Sequence, residues 1–397
     1  MTGETSAGVP SVLVNATSVV VGGGVQAAVS FIRHVLDRPS GLQWHFALSR
    51  AVASQLPAFG ISERELRAEL FQSPPARDRS ARKLLRKLET RIGPDAVFTI
   101  FGPAYVRFQA PHLCGVGDGW VTHATPVAYG ALGGAHRAIG AFLKSIYKGL
   151  WFRVASRWVV EEQSARQGLC RRFGIPADRI HVVANGCADH YQITAPVPPL
   201  LTRNGRFRLL TFASYYAHKN LEIIPVTAAH LKRLGMEQCI EFVTTIRPDE
   251  PGMARLAAMA RDLGVTGMLN NVGPVDISDG PRLYKSCDAV FMPSLLETFS
   301  ATYPEAMAMG LPIVATDLEF ARNICGKAAI YYSAKDPAAA AEAIRNVYHS
   351  PQLRARLVAE GTRRLSDFPT AGEKNAAIVE LIRQTARDGR AGREELH

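Results

Sequence analysis

Two carboxylates, Glu297 and Glu305, stand on either side of a Thr-Phe-Ser turn in the stretch PSLLETFSATYPEAMAMGLPIVAT, residues 293–316. Glu305, Ala306, Met307, Ala308 and Met309 favour helix, Gly310 stops it, and Pro312 prevents its return. DAVFMPS before the turn and IVAT at the end of the stretch read as short buried strands. The unit is therefore expected to run strand, loop, helix, strand, with a helix N-terminus opening just after Ser300. Free N–H groups at such an end attract anions and the helix dipole adds to the attraction, so a phosphate would fit at Phe299 and Ser300. Glu305, about one turn further in, could accept hydrogen bonds from a ribose diol; the alternative is a carboxylate that is only solvated or paired.

Other residues of chemical interest lie far away in sequence. Lys219, in SYYAHKN after the strand RLLTFAS, sits at a loop-to-helix junction, at what would be the C-terminal end of a sheet strand. Ligands of open parallel sheets bind at that edge, so Lys219 is expected either beside a diphosphate or as a solvated loop lysine. Gly22, Gly23 and Gly24 separate the β-branched run SVLVNATSVVV from VQAAVSFIRHVL, which has helical periodicity. That glycine turn either lets a phosphate or sugar approach the backbone or simply joins strand to helix; the G-x-G-x-x-G spacing of a dinucleotide site is absent. Residues 102–125 read as loop, rich in Gly and Pro, and carry His112 and His123, each a candidate for a sugar hydroxyl contact or a base, or for a structural role. No Asp-x-Asp motif in strand context offers to hold a divalent ion. The six cysteines show no C-x-x-C pair or metal-ligand spacing, so no metal is expected and the thiols read as reduced.

An alternation of strands and helices must position these groups. WHFALS, AVFTIFG and RWVV in the first half, and CIEFVTT, NNVGPV and AAIYYSA in the second, are separated by helical stretches, as in parallel sheets with crossover helices. The proline-rich ITAPVPPLLTRNG reads as a linker. The expected organisation is a flexible N-terminus over 1–10, a first domain over 11–195, a linker over 196–205, a second domain over 206–370, and a C-terminal helix and tail over 371–397. A cleft between the two domains is the default site.

The 397 residues suffice for two cores, and the 47% hydrophobic content is that of a globular protein. No run of 18 or more apolar residues occurs, and the N-terminus lacks a charged region followed by an apolar one, so neither a membrane span nor a secretion signal is expected and the chain is expected in the cytoplasm. A formal net charge of +11 points to an anionic partner: nucleic acid, a phosphorylated sugar or lipid head groups. Residues 77–91 form a basic helix with Leu84, Leu85 and Leu88 as a narrow apolar stripe. From residue 134, Ile139, Phe142, Leu143, Ile146 and Leu150 share one helical face, with Arg137, Lys144 and Lys148 opposite. Such a helix either buries its apolar face in the core or lies on an anionic membrane, where three cations would contribute about 3 kcal/mol.

The pattern E-x-F-S-x-x-x-x-E-A-M-A-x-G-x-P-I-V-A-T at 297–316, in the second of two β/α domains, resembles the retaining GT-B glycosyltransferases of the large bacterial mannosyl- and glucosyltransferase family (glycosyl transferases group 1). The resemblance implies an α/β fold of two Rossmann-like β/α domains facing a central cleft, and transfer of a sugar from a nucleotide diphosphate sugar, GDP-, UDP- or dTDP-linked, to an acceptor hydroxyl with retention. It implies that Glu297 contacts donor-sugar hydroxyls, that Phe299 and Ser300 give N–H groups to the diphosphate, and that Glu305 binds the ribose. Lys219 is similar to the lysine that neutralises the leaving diphosphate, Gly23 and Gly24 belong to the glycine loop facing it, and His123 is similar to the first-domain histidine directed at the sugar. The family's usual arginine five residues before the lysine is here Ser214, which removes one cation unless another, such as Arg247, replaces it. No cofactor or metal is implied.

With the basic surface, this points to a glycan or lipid-linked acceptor at the inner face of the cell membrane, in surface polysaccharide or lipopolysaccharide biosynthesis. Competing readings are a nucleotide-sugar-binding protein with weak or lost activity and a GT-B nucleotide-sugar epimerase. The second would need further acid and base carboxylates that the sequence does not offer. Nucleic-acid binding rests on net charge alone, because aromatic residues do not interleave with the basic stretches.

Overall fold

Short runs of β-branched and aliphatic residues, each closed by a turn and followed by an amphipathic helix, have a ready packing solution: parallel strands in the middle, crossover helices on both faces. The computed structural model, which describes residues 8–20, 22–62, 66–191 and 197–394, adopts that solution twice. Residues 1–7 of the expected N-terminal segment, 192–196 before and at the start of the expected linker, and 395–397 of the tail lie outside the described residues.

The first sheet contains β1 (Ser11–Ala16), β2 (Gln43–Ser49), β3 (Glu69–Phe71), β4 (Ala96–Thr99), β5 (His112–Val116), β6 (Arg157–Val160) and β7 (Ile180–Val182), in the order β3-β2-β1-β4-β5-β6-β7. The second contains β8 (Phe207–Thr211), β9 (Ile240–Thr244), β10 (Leu269–Asn271), β11 (Ala289–Met292), β12 (Ile313–Thr316) and β13 (Ala329–Tyr332), in the order β10-β9-β8-β11-β12-β13. All the described pairings are parallel. Alternate residues of a strand feed opposite faces: Val12 and Val14 of β1 join one core and Leu13 another, while Leu209 of β8 and Phe291 of β11 lie in one core of the second sheet and Leu210 and Val290 in the other.

The chain divides into two compact units, one of residues 1–123, 142–184 and 371–397, the other of 124–141 and 185–370. The C-terminal helix Ala371–Glu394 thus belongs with the first sheet, where Ile378, Val379 and Ile382 complete the core built on β1 and β4. Residues 200–204 run along the second unit: the Leu200 and Leu201 N–H groups donate to Ser286 Oγ at 2.8 and 2.9 Å, and Arg203 pairs with Asp288.

Two readings differ from the structure in a consistent way. The stretch 102–125, expected as loop, contains β5, buried throughout between β4 and β6; HLCGV is short and interrupted by His and Gly, so it shows no alternation, as befits a strand covered on both faces. The helices Glu319–Cys325 and Pro351–Leu365 were not expected; the first is two turns long and the second is densely charged.

Candidate functional site

In an open parallel sheet the first strand has its successors on opposite sides, and the loops leaving the strand ends at that reversal splay apart. In the second sheet the reversal lies between β8 and β11. The loop after β8 ends in a short 3-10 turn, Ala217–Lys219, closed by Asn220 in the left-handed region at φ 54°. The loop after β11 carries Glu297. Backbone contacts tie the two loops together: Leu295 N–H donates to the His218 carbonyl at 2.7 Å, and Asn220 Nδ2 donates to the Pro293 carbonyl at 3.3 Å. Lys219 Nζ then meets Glu297 Oε1 at 2.5 Å, with the side chains 16% and 10% exposed. A lysine and a glutamate 78 positions apart are thereby held as one charged pair at the sheet's switch point.

Phe299 and Ser300 follow in the same loop, and the helix Thr302–Ala308 begins just beyond them, ended by Gly310 at φ +70°. The Phe299 ring packs edge-on against Phe368 at 5.7 Å, and Ser300 is buried. Among the described residues neither the Phe299 nor the Ser300 N–H has a protein acceptor. Glu305, in the first turn of the helix, is held from behind: buried Tyr284, on the helix Gly280–Lys285, donates its hydroxyl to Glu305 Oε2 at 2.8 Å, and Tyr191 packs edge-on against Tyr284 at 5.4 Å. Burial pushes the Glu305 carboxyl up from 4.5 to about 7, against the Tyr284 hydrogen bond, which lowers it. The two tyrosines were not singled out in the sequence, where each reads as one more aromatic in a helix or turn; only the fold brings them to the carboxylate.

In the first unit the reversal lies between β1 and β4. A buried chain fixes the loop after β1: Asn15 Nδ2 donates to Thr99 Oγ1 at 3.1 Å, and the Thr17 N–H and hydroxyl donate to Asn15 Oδ1. The loop ends at Gly22, whose φ of 66° with ψ of −152° is open to glycine alone, and the helix Gly23–Asp37 starts there. A Cβ on Gly24 would lie 3.3 Å from Val19 Cγ1, whereas Gly23 faces open space. Across the reversal, Phe101 and Tyr105 both hold positive φ.

The two histidines part company. His112 lies inside β5 with Nε2 2.7 Å from Thr99 Oγ1 and its ring edge-on to Phe108; burial lowers its pKa to about 3, so it is a neutral core residue. His123 caps the short helix Gly119–Thr122, its Nδ1 2.8 Å from Thr122 Oγ1, and is only half-buried. Gly168 packs so closely beneath this helix that a Cβ there would be 2.0 Å from the Thr122 carbonyl oxygen.

Ser214, at the position where the resemblance implies an arginine, is exposed, and Arg247 pairs with Asp249 at 3.2 Å on the surface. Among the described residues no three His, Cys, Asp or Glu side chains converge as metal ligands, and no helix is long and apolar enough to cross a membrane.

Comparison with known proteins adds to this geometry. A D-inositol 3-phosphate glycosyltransferase of Xylanimonas cellulosilytica is 27% identical over 241 residues, 58% of this chain and 57% of that protein. A phosphatidyl-myo-inositol mannosyltransferase of Mycobacterium leprae is 30% identical over 156 residues, 37% of this chain and 40% of that protein. The chain thus spans little more than half, or less, of the length of these curated relatives. The solved structure of Anabaena Alr3699/HepE in complex with UDP-glucose superposes with a TM-score of 0.70 at 16% identity, covering 94% of this chain and 99% of that one. The two Rossmann-like parallel sheets are those of the GT-B fold. Residues 198–364, which hold Lys219, the 293–316 stretch and both glutamates, match the family model described as "Glycosyl transferases group 1".

Proposed function

We propose that the protein is a retaining hexosyltransferase that moves a sugar from a nucleotide diphosphate sugar to an acceptor hydroxyl. The observation that carries this reading is the Lys219–Glu297 pair at the switch point of the second sheet, beside the Phe299 and Ser300 N–H groups, which have no acceptor among the described residues. In this assignment the diphosphate lies against Lys219 and those N–H groups, Glu297 accepts hydrogen bonds from the donor sugar, and Glu305, held by Tyr284, accepts from the ribose. Negative charge grows on the departing diphosphate as the anomeric bond breaks, so fixed donors placed there lower the barrier. Lys219 offers three N–H bonds, of which one is directed at Glu297. No metal ion is assigned to the leaving group. Gly23 and Gly24 are assigned to close backbone approach and His123 to the donor sugar.

The donor class is supported by the UDP-glucose complex of the structural neighbour, and a glycan or lipid-linked acceptor by the phosphatidyl-myo-inositol named for one relative. Surface polysaccharide or lipopolysaccharide assembly at the inner membrane face is the setting we assign. The test is release of nucleoside diphosphate from UDP-, GDP- and dTDP-sugars with and without acceptor, for the parent chain, Lys219→Ala and Glu305→Ala. If donor turnover is unchanged in both variants, the assignment fails. A second reading, a nucleotide-sugar-binding protein of weak or lost activity, is favoured by exposed Ser214 and by the engagement of Arg247 with Asp249. It predicts saturable donor binding with no diphosphate release.

A further inference from the structure

The helix Ala135–Phe152 presents its apolar residues to the outside. Ile139, Leu143 and Leu150 are 59%, 60% and 53% exposed, and Phe142 and Tyr147 are exposed as well. What the helix buries is a face of Ser145, Gly149 and Phe152, with Gly149 so near the Phe173 ring that a Cβ would collide with it. Of the two readings of this apolar stripe, burial in the core is therefore not the one adopted, and only Ile146 at its border packs inward.

The order of residues around the helix identifies what the exposed face meets. At about 100° per residue, Ile139, Leu150 and Leu143 fall within one narrow arc, which His136 also enters. Beyond it, in turn, come Tyr147, Trp151, Lys144 and Arg137, the last two exposed. Lys148 points further round and is occupied by Asp118 at 2.5 Å. Between Asp118 and Glu161 the sequence contains no acidic residue, whereas Arg137, Lys144, Lys148, Arg153 and Arg157 all fall there. Apolar tips, then amphipathic aromatics, then cations is the sequence of environments met in rising from the acyl region of a bilayer to its anionic head groups. A second copy docked symmetrically on this face would set Lys144 and Arg137 near their own counterparts with no acid in the stretch to balance them.

We propose that this helix is a docking element that lies in the plane of an anionic lipid surface, with Ile139, Leu143 and Leu150 inserted and Arg137 and Lys144 at the head groups. The proposal deepens the acceptor side of the function proposed above, by placing the chain where a lipid-linked acceptor resides. Its physical support does not depend on donor chemistry.

The test is co-sedimentation of the full chain with phosphatidylcholine vesicles with and without phosphatidylglycerol, alongside Ile139→Asn/Leu143→Asn and Arg137→Gln/Lys144→Gln. All four substitutions are at exposed positions, and thermal unfolding of each variant checks that the fold is intact. Binding is expected to the phosphatidylglycerol vesicles, weakening with salt. The loss of two cations should lower it about twenty-five-fold, at about fivefold per basic residue, and the paired asparagines should lower it by more than tenfold. Absence of binding at low salt, or equal binding by the asparagine variant, overturns the proposal. So does a parent chain that is a dimer in solution and becomes monomeric on introducing the asparagines. Diphosphate release to a soluble acceptor, measured in parallel, separates failure here from failure of the transferase reading.

Discussion

Glu305→Gln should make the protein more stable above neutral pH and worse at holding its donor. Burial raises the Glu305 carboxyl from 4.5 to about 7. Below pH 4.5 it is neutral in folded and unfolded chains alike. Between pH 4.5 and 7 the unfolded chain gives up the proton while the folded one keeps it, so stability falls as pH rises through that window and levels off above it. At 1.36 kcal/mol per pH unit the accumulated loss is about 3 kcal/mol. Glutamine is neutral throughout and its amide oxygen can still accept the Tyr284 hydroxyl. Above pH 7 the variant should therefore exceed the parent by up to about 3 kcal/mol, about 6–12 °C in Tm for a unit of this size. At pH 5 the gain should shrink to under about 1 kcal/mol. Thermal unfolding of parent and variant at pH 5 and pH 8 measures both. A variant no more stable than the parent at pH 8, or a gap equal at the two pH values, refutes a buried carboxyl held near neutrality. Donor titration supplies the functional half: losing a charged acceptor for the ribose should weaken binding about ten- to a hundredfold. Unchanged affinity would make Glu305 structural only.

Three further outcomes follow from the packing. Lys219→Met leaves the Glu297 carboxylate largely buried without its lysine, and should cost about 1–3 kcal/mol; Lys219→Met/Glu297→Gln should recover most of that in chemical denaturation while diphosphate release stays lost, and additive costs would deny the coupling. Gly168→Ala drives a Cβ into the Thr122 carbonyl and should destabilise by about 1–3 kcal/mol or more, shifting the helix that ends at His123; an unchanged Tm would contradict the close approach. Ile382→Ala, at a fully buried position of the C-terminal helix, should cost about 2–5 kcal/mol, and a change within a few tenths would show that this helix does not complete the first core.

Much of the fold was legible in the chain because its signals are local. The β-branched runs, the glycine turn at 22–24 and the helix formers ended by Gly310 each act over a few residues, so the two β/α halves and the strand, turn and helix around Glu297 and Glu305 follow from residue types alone. Strand β5 escaped because a strand covered on both faces has no alternation to display. Helix periodicity at 135–152 identified an apolar face but not its surroundings, since the same pattern serves a core helix and a surface one.

Tertiary structure decided what depends on distant residues and on exclusion of water. Lys219 and Glu297 become a pair only because β8 and β11 are neighbours at a switch point, and strand order is a property of the whole sheet. His112 and His123 are alike as sequence, yet one is locked neutral inside a sheet and the other caps a short helix. Glu305 carries its raised pKa because the surrounding core removes water from it, outweighing the Tyr284 hydrogen bond that lowers it, and desolvation is set by every group that packs nearby rather than by any spacing along the chain.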